Sequence, residues 1–166
     1  MQKPVSVTDF LSSRLLRLSN TLGLYASRRY REEFGVTLPE WRVLSIVASS
    51  EPTTARQVSR HLATDKGWVA LTADALRKRG LIAGNPDESD GRRIVLTLTP
   101  EGRTLHDAVL LVAQGRHDQL MRSLPAGSAA ILSECLDRLQ AEADAMLEEP
   151  SPHADPGQVQ KSIKRA

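Results

Sequence analysis

Several features that stabilise or localise other proteins are scarce in this chain. Its 166 residues include one cysteine, Cys135, so an intramolecular disulfide is impossible, and this cysteine usage is typical of a cytoplasmic protein. No apolar run approaches the roughly 20 residues that a membrane helix needs, and the first residues do not form a secretory signal. We therefore expect a cytoplasmic chain, long enough to bury a core, with no membrane contact.

Motifs of catalysis and metal binding are also lacking. The four histidines have no zinc-ligand spacing among themselves or with cysteine and glutamate. The sequence contains no nucleophile elbow, phosphate-binding loop or dinucleotide fingerprint. We therefore expect a protein that is not an enzyme and holds no cofactor or metal, although zinc ligands that converge from distant positions stay an open alternative.

Charge is nearly balanced overall but unevenly distributed along the chain. The totals are 22 basic and 20 acidic residues. Residues 53–103 carry nine basic and six acidic side chains, a net +3, whereas residues 104–166 carry six and nine, a net −3. This division suits a nucleic-acid binder with a separate packing region, and sequence motifs must decide.

Apolar periodicity predicts long helices near both ends of the chain. Apolar side chains recur at steps of four and three within residues 8–34 and within residues 127–147. A helix of about 26 residues is about 39 Å long, more than a small domain needs for its own core. Each stripe therefore predicts a partner surface. The stripes consist of Leu11, Leu15, Leu18, Leu22 and Tyr25, and of Leu132, Leu136, Leu139, Ala143 and Met146.

The segment between these helices alternates short helices with turns and ends in a hairpin. Pro39 opens a helix over about 39–49, a third helix follows over 55–63, and a fourth covers 65–79. Apolar runs at 81–84 and 93–99 flank a polar turn and predict a two-stranded hairpin. A long helix follows from Thr99 to about Ser123, and the proline-rich residues 149–166 are expected to form a flexible tail. The predicted fold class is mainly α (α+β).

Helix, turn, helix and hairpin is the order of a winged helix-turn-helix, in which one helix fits the DNA major groove. Residues 65–79 would form that helix. Its outward face would expose Trp68 and Leu71, which could press on thymine methyl groups or sugars. The basic residues near its two ends, Lys66, Arg77, Lys78 and Arg79, are candidate phosphate contacts.

The hairpin tip contains acidic and basic residues close together. We interpret Asp90 as pairing with Arg92, so that an arginine is presented to the minor groove at little ordering cost. A solvated charged turn is the alternative. If the first interpretation holds, Arg92→Ala weakens DNA binding far more than Leu71→Ala does.

These motifs resemble the MarR family of bacterial transcriptional regulators. The family pattern joins Asp-Lys, a helix ending in Leu-x-x-Arg-Gly-Leu-Ile, a wing with Asp-x-Arg, and Leu-Thr-x-x-Gly. The resemblance covers about residues 8–148, with its specific motifs in 53–102, and the phrase FGVTLPEWRVL at 34–44 also fits. The matching residues are Asp65, Lys66, Val69, Leu76, Arg79, Gly80, Leu81, Ile82, Asp90, Arg92, Leu98, Thr99 and Gly102.

The resemblance implies a homodimer and a regulatory function. A single domain over 1–166 would comprise dimerisation helices at 8–34 and 100–148 and a winged helix-turn-helix lobe at 35–99. The dimer would bind a pseudo-palindromic operator in double-stranded DNA, with repression the favoured mode. Candidate DNA contacts are Thr54, Gln57, Lys66, Gly67, Trp68, Leu71, Thr72, Lys78, Asp90, Arg92 and Arg93.

One departure from the family pattern bears on specificity. Many relatives have a polar Ser-Arg pair where this chain has Ala70 and Leu71, so the base contact assigned to that arginine cannot be carried over. Specificity would then rest on the wing, Trp68 and Thr72, or the operator is unusual. The alternative is a winged-helix interaction module that holds a protein partner and has lost DNA binding.

The resemblance also implies control by a small aromatic ligand, such as a phenolic, a carboxylate or a coenzyme A thioester. Candidate ligand contacts are Asn20, Tyr25, Trp41 and Arg42. The alternative is that Trp41 belongs to the core and Arg42 to a surface ion pair. Redox control through Cys135 is a further alternative, opposed by the absence of a neighbouring basic cluster, which favours an inert packing thiol.

Overall fold

The computed structural model describes residues 6–87, 90 and 93–148, and the structural statements below concern these residues. A 3-10 turn at Val7–Asp9 precedes the first helix. The predicted tail at 149–166 lies outside the described residues. The elements are α1 (Leu11–Phe34), α2 (Leu38–Ser50), β1 (Thr53–Thr54), α3 (Ala55–His61), α4 (Lys66–Lys78), β2 (Ile82–Pro86), β3 (Ile94–Leu98), α5 (Pro100–Arg122) and α6 (Ser128–Glu148).

Local capping signals set most helix boundaries. Thr37 and Glu40 form a capping box at the start of α2, and Gly35 ends α1 in the left-handed conformation with φ 61°. The expected start of the first helix at Thr8 was three residues early. Residues 7–9 form the 3-10 turn, and Phe10 has an extended backbone at the N-cap of α1.

The small sheet has three strands where the sequence predicted two. Its order is β1-β3-β2, and both pairings are antiparallel. Ile82 pairs with Leu98 and Pro86 with Ile94, which gives the predicted hairpin. The additional strand arises because the extended residues before α3 pair with β3, with Thr54 opposite Val95. The hairpin is thus attached to the helices by backbone hydrogen bonds.

Two apolar clusters stabilise the part of the chain that precedes residue 115. The first joins α2, α3 and α4 to the sheet, and Leu44, Val58, Val69 and Leu76 at its centre are fully buried. The second joins α1, α2 and α5. Burying a side chain of this size contributes about 1.5–3 kcal/mol. The second cluster consists of Ala26, Tyr30, Val36, Trp41 and Val109.

The chain divides into two compact units, Met1–Gln114 and Gly115–Ala166. In the first unit, α1 leaves part of its predicted apolar stripe exposed, including Leu11 and Leu18. In the second unit, α6 exposes Leu132, Leu136 and other residues of its stripe. Within the described part of the chain, no helix is apolar over a length that would cross a membrane.

An ion pair ties the end of α4 to the start of α2. The Arg79 guanidinium donates to Glu40 Oε1 at 2.7 Å and to the Gly35 carbonyl at 3.1 Å. Glu40 Oε2 accepts from the Thr37 backbone N–H at 2.8 Å. Burial raises the pKa of Glu40, but these hydrogen bonds outweigh burial and hold the pKa below its ordinary value.

We expect Glu40→Gln to lower the free energy of unfolding by about 1 kcal/mol at neutral pH. Because the folded-state pKa is depressed, the carboxylate stabilises the fold above its unfolded pKa of about 4.3, and this contribution is lost as the pH falls through the folded value. Urea unfolding of both proteins between about pH 7 and pH 3 measures the difference. A difference independent of pH would contradict the assignment.

Candidate nucleic-acid interface

A tight turn joins α3 to α4 and sets the direction of the second helix. The Thr64 backbone N–H donates to the Ser59 carbonyl at 3.0 Å, and Ala63 has a positive φ of 46°. Asp65 caps α4 by accepting from the Trp68 backbone N–H at 2.9 Å. The predicted helix-turn-helix at 55–79 is present.

The two faces of α4 differ as the periodicity predicted, with one exception. Val69, Ala73 and Leu76 are buried. Leu71 is 76% exposed. Trp68, expected on the outward face, is half-buried and packs against the apolar cluster of α2, α3 and α4. A long helical side chain turns back towards the N-terminal end of its helix, and at the first turn of α4 this direction brings the indole to the core.

The polar residues of α4 are engaged with one another. The Thr72 hydroxyl donates to the Trp68 carbonyl at 2.9 Å, so Thr72 is occupied by its own helix. The Lys78 ammonium lies 2.8 Å from Asp74 Oδ2, and Arg77 lies 3.9 Å from Asp74 Oδ1. The hydrogen bond from Lys78 is the largest influence that lowers the pKa of Asp74. The Asp74 carboxylate is therefore charged, and the nearby Lys78 and Arg77 side chains balance its charge.

A cavity of about 540 Å³ opens beside α4, between the start of α3 and the sheet. Of the six described residues that line it, three are cationic and none is acidic. Such a concentration of positive charge favours an anion. The lining residues are Thr54, Ala55, Arg56, Lys66, Arg93 and Ile94.

The described part of the wing tip is held by backbone hydrogen bonds. The Asp87 N–H donates to the Arg93 carbonyl at 2.8 Å, and the Arg93 N–H donates to the Asp90 carbonyl at 2.8 Å. Asp90 N–H also donates to Asp87 Oδ1 at 3.3 Å. Arg92 and its predicted pairing with Asp90 lie outside the described residues. The structure therefore fixes the base of the wing and the position of Arg93.

Apart from Asp90 and Arg92 at the wing tip, the predicted DNA contacts fall into three groups. Thr54, Lys66 and Arg93 surround the cavity. Gly67, Leu71 and Lys78 are exposed on α4. Trp68, Thr72 and Gln57 make contacts within the protein. Gln57 Oε1 accepts from the Thr54 backbone N–H at 2.9 Å and completes a second capping box.

Sequence reasoning missed Ala55, Arg56 and Ile94, which also line the cavity. Arg56 stands between Thr54 and Gln57, two residues that were selected, and its position in the first turn of α3 was a usable signal. The sequence did not mark Ile94 as a site residue, because an apolar residue at the start of a strand is common whether or not it lines a cavity. The cavity thus joins residues that are adjacent in sequence, at the start of α3, to residues of the wing such as Ile94, which follows Thr54 by 40 positions.

The four candidate ligand contacts do not form one pocket in this chain. Trp41 is 8% exposed and packs edge-on against Tyr30, with ring centroids 5.7 Å apart. Its indole ring also stacks on the His106 ring, with the ring centroids 5.5 Å apart. Asn20, Tyr25 and Arg42 are exposed. Tyr25 lines a surface depression of about 350 Å³ on α1, which Trp41 and Arg42 do not reach.

Cys135 is exposed on α6. Within the described residues, no group of three or more histidine, cysteine, aspartate or glutamate side chains is arranged to hold a metal ion.

Comparisons with known proteins give a consistent picture. Residues 34–93 match the model of the MarR family. An uncharacterized HTH-type transcriptional regulator of Staphylococcus aureus is 32% identical over 83 residues, which is 50% of this chain and 57% of that protein. The chain therefore spans little more than half the length of the curated relatives it matches. The residues matched by the family model include α2, the helix-turn-helix and β2, and end just before β3.

Similar solved structures extend over nearly the whole fold. A MarR/EmrR family transcriptional regulator from Acinetobacter sp. ADP1 is 26% identical, with a TM-score of 0.79 over 85% of this chain and 99% of that one. BpsR of Bordetella bronchiseptica, whose DNA binding is regulated by 6-hydroxynicotinic acid, is 20% identical with a TM-score of 0.71, covering 83% and 98%. The second likeness concerns the fold alone. The Staphylococcus aureus and Acinetobacter proteins are both named as transcriptional regulators, and the predicted mainly α winged-helix fold is confirmed.

Proposed function

Because residues 34–93 match the MarR family model and the fold is that of a winged helix, we propose that the chain is a cytoplasmic transcriptional regulator of the MarR family that binds double-stranded DNA. The observation that carries the proposal is the cavity lined by Arg56, Lys66 and Arg93 beside the exposed face of α4. An anion site next to a protruding helix suits a duplex, because phosphates flank each groove. Gly67 and Leu71 would then face the base edges of the major groove.

The DNA-bound form would be a homodimer. The apolar side chains that α1 and α6 leave exposed support this proposal, because a second copy would remove them from water. Two copies related by a two-fold axis require a pseudo-palindromic operator with half-sites about 34–36 Å apart. A dimer over a promoter excludes polymerase without further contacts, which favours repression.

The regulator would be released from its operator by a small aromatic acid or a related phenolic. The regulation of BpsR by 6-hydroxynicotinic acid supports this class of effector. Tyr25 and Arg42 are accessible for stacking and for pairing with a carboxylate. Trp41, buried against Tyr30 and His106, would contribute only if the second apolar cluster opened. Thermal unfolding with 6-hydroxynicotinic acid and hydroxycinnamates tests this step, since a ligand of the folded state raises the midpoint.

The proposed function predicts DNA binding that weakens steeply with salt. A labelled duplex from the region upstream of the gene is titrated with the protein between about 50 and 200 mM salt. We expect the logarithm of the association constant to fall linearly with the logarithm of the salt concentration, because bound cations displace counterions. A shuffled duplex of equal length is the control and should bind more weakly.

Absence of binding to either duplex at the lowest salt concentration would overturn the proposal. It would favour the alternative that the exposed face of α4 holds a protein partner, for which the 76% exposure of Leu71 is the supporting observation. Equal binding to both duplexes would support DNA binding but would show that the upstream region does not contain the operator.

A further inference from the structure

The centre of the exposed α4 face lacks polar side chains. Leu71 is 76% exposed, and Ala70 and Ala75 beside it are also exposed. Gly67, one turn earlier, has no side chain. Asp74, three residues after Leu71, is paired with Lys78 at 2.8 Å. Thr72 and Asp74, the polar side chains nearest to Leu71, are thus engaged within α4, and the largest exposed apolar group on this part of the helix is the isobutyl side chain of Leu71.

Among the base edges in the major groove, thymine alone carries a methyl group, beside its O4 acceptor, whereas the other bases present hydrogen-bond donors and acceptors without a methyl group. An apolar side chain placed on a donor or acceptor removes water from it and returns no hydrogen bond, which is unfavourable. The same side chain on a methyl group removes apolar surface from water, which is favourable. A leucine in the groove thus distinguishes thymine from the other bases.

Resting on the proposed DNA-binding function, we infer that Leu71 is a specificity-determining residue that contacts the 5-methyl group of thymine. The operator half-site then contains thymine at the base pair under the centre of α4. Readout at this position occurs by apolar contact, without a hydrogen bond from the side chain.

The charges around Leu71 favour DNA over a protein as the occupant of this face. Lys66 stands at the N-terminal end of α4, beside the cavity that Arg56 and Arg93 also line. Lys78 and Arg77 stand at the C-terminal end, where two cations share the single carboxylate of Asp74. An apolar centre between two cationic ends matches a groove that has a base edge in the middle and phosphates on both sides.

The experiment replaces thymine with uracil, which differs only by the missing methyl group. Two duplexes of the same sequence, one of A·T pairs and one of A·U pairs, are titrated with the full-length protein at fixed low salt. We expect binding to the A·T duplex to be about fourfold tighter for each thymine methyl that is buried against Leu71. Leu71→Ala should bind the two duplexes equally, whereas Leu71→Met, which keeps an apolar side chain of similar size, should retain the preference.

Control variants separate readout from folding. Ser49→Ala changes an exposed side chain on α2, outside the proposed DNA contacts and the predicted dimerisation helices, and should retain the preference for thymine. The thermal midpoints of all three variants should match that of the parent chain, because the substituted side chains are already in water.

Each possible outcome supports or overturns the inference. Equal binding of the parent chain to both duplexes, or a preference that survives in Leu71→Ala, overturns the thymine contact and leaves the proposed function intact. Failure to bind either duplex at low salt overturns both proposals and favours a protein partner on α4. A preference lost in Leu71→Ala and kept in Leu71→Met supports the contact.

Discussion

Replacing Arg56, Lys66 and Arg93 together by alanine should reduce DNA affinity at low salt more than a hundredfold and flatten its salt dependence. The three side chains line one cavity without an opposing carboxylate among its described residues. If each contacts one phosphate in each subunit of a dimer, about six phosphates lose their partners. The slope of log association constant against log salt should then become less steep by about 0.9 for each phosphate.

The measurement is a fluorescence-anisotropy titration of one duplex at several salt concentrations. A matched control removes three arginines from α1, as Arg17→Ala, Arg28→Ala and Arg31→Ala, and so changes the net charge equally. All three are exposed on α1 and outside the cavity. If both triple variants lose the same affinity, total charge and not the cavity determines binding.

Gly102→Ala should destabilise the fold by about 3 kcal/mol or more, the largest effect we expect from a single substitution. A Cβ atom at Gly102 would lie 1.8 Å from the carbonyl oxygen of Leu81 and 2.8 Å from its carbon. That oxygen accepts the Thr99 backbone N–H at 3.2 Å. Because backbone and not a flexible side chain blocks the space, relief requires α5 to move away from the segment between α4 and β2.

Gly115→Ala provides the control within the same helix. Apart from its chain neighbours and the adjacent backbone of its own helix, no described atom lies within 4 Å of the Cβ position there, and alanine is a better helix former than glycine by about 1 kcal/mol. The two substitutions should therefore change the free energy of urea unfolding in opposite directions at equal protein concentration. An unchanged free energy of unfolding for Gly102→Ala would contradict this prediction. It would mean that the start of α5 can shift away from Leu81 at little cost, which close packing does not predict.

The helices were predictable because their determinants are local. Thr37 with Glu40, Gly35 and Pro39 mark boundaries through hydrogen bonds and backbone preferences that span three or four residues. The predicted limits of α2 through α6 accordingly lie within about two residues of the observed ones, the uncertainty expected for helix ends. The burial of Val69, Ala73 and Leu76 followed from the same periodicity.

Features that depend on distant parts of the chain were not predictable. β1 forms because Thr53 and Thr54 meet a strand more than 40 residues later, and no local preference marks a two-residue strand. Trp68 is half-buried because it packs against the core of α2, α3 and α4. The periodicity of α4 alone does not predict this contact, since it depends on the neighbouring helices. The cavity brings Arg56 close to Arg93 across a similar separation in sequence. The positive charge of this segment could therefore be counted from the sequence, but its concentration around one cavity could not be predicted.

Thr54 belongs to two structures at once, and this has a mechanical consequence. Its backbone pairs with Val95 in the sheet, and its hydroxyl accepts the Gln57 backbone N–H at the start of α3. No spacer separates the wing from the helix-turn-helix, so a displacement of the strands is transmitted directly to α3. If the chain acts as the proposed dimeric regulator, we expect a signal that lowers DNA affinity to change the tilt or separation of whole lobes, with the wing and the helices moving together.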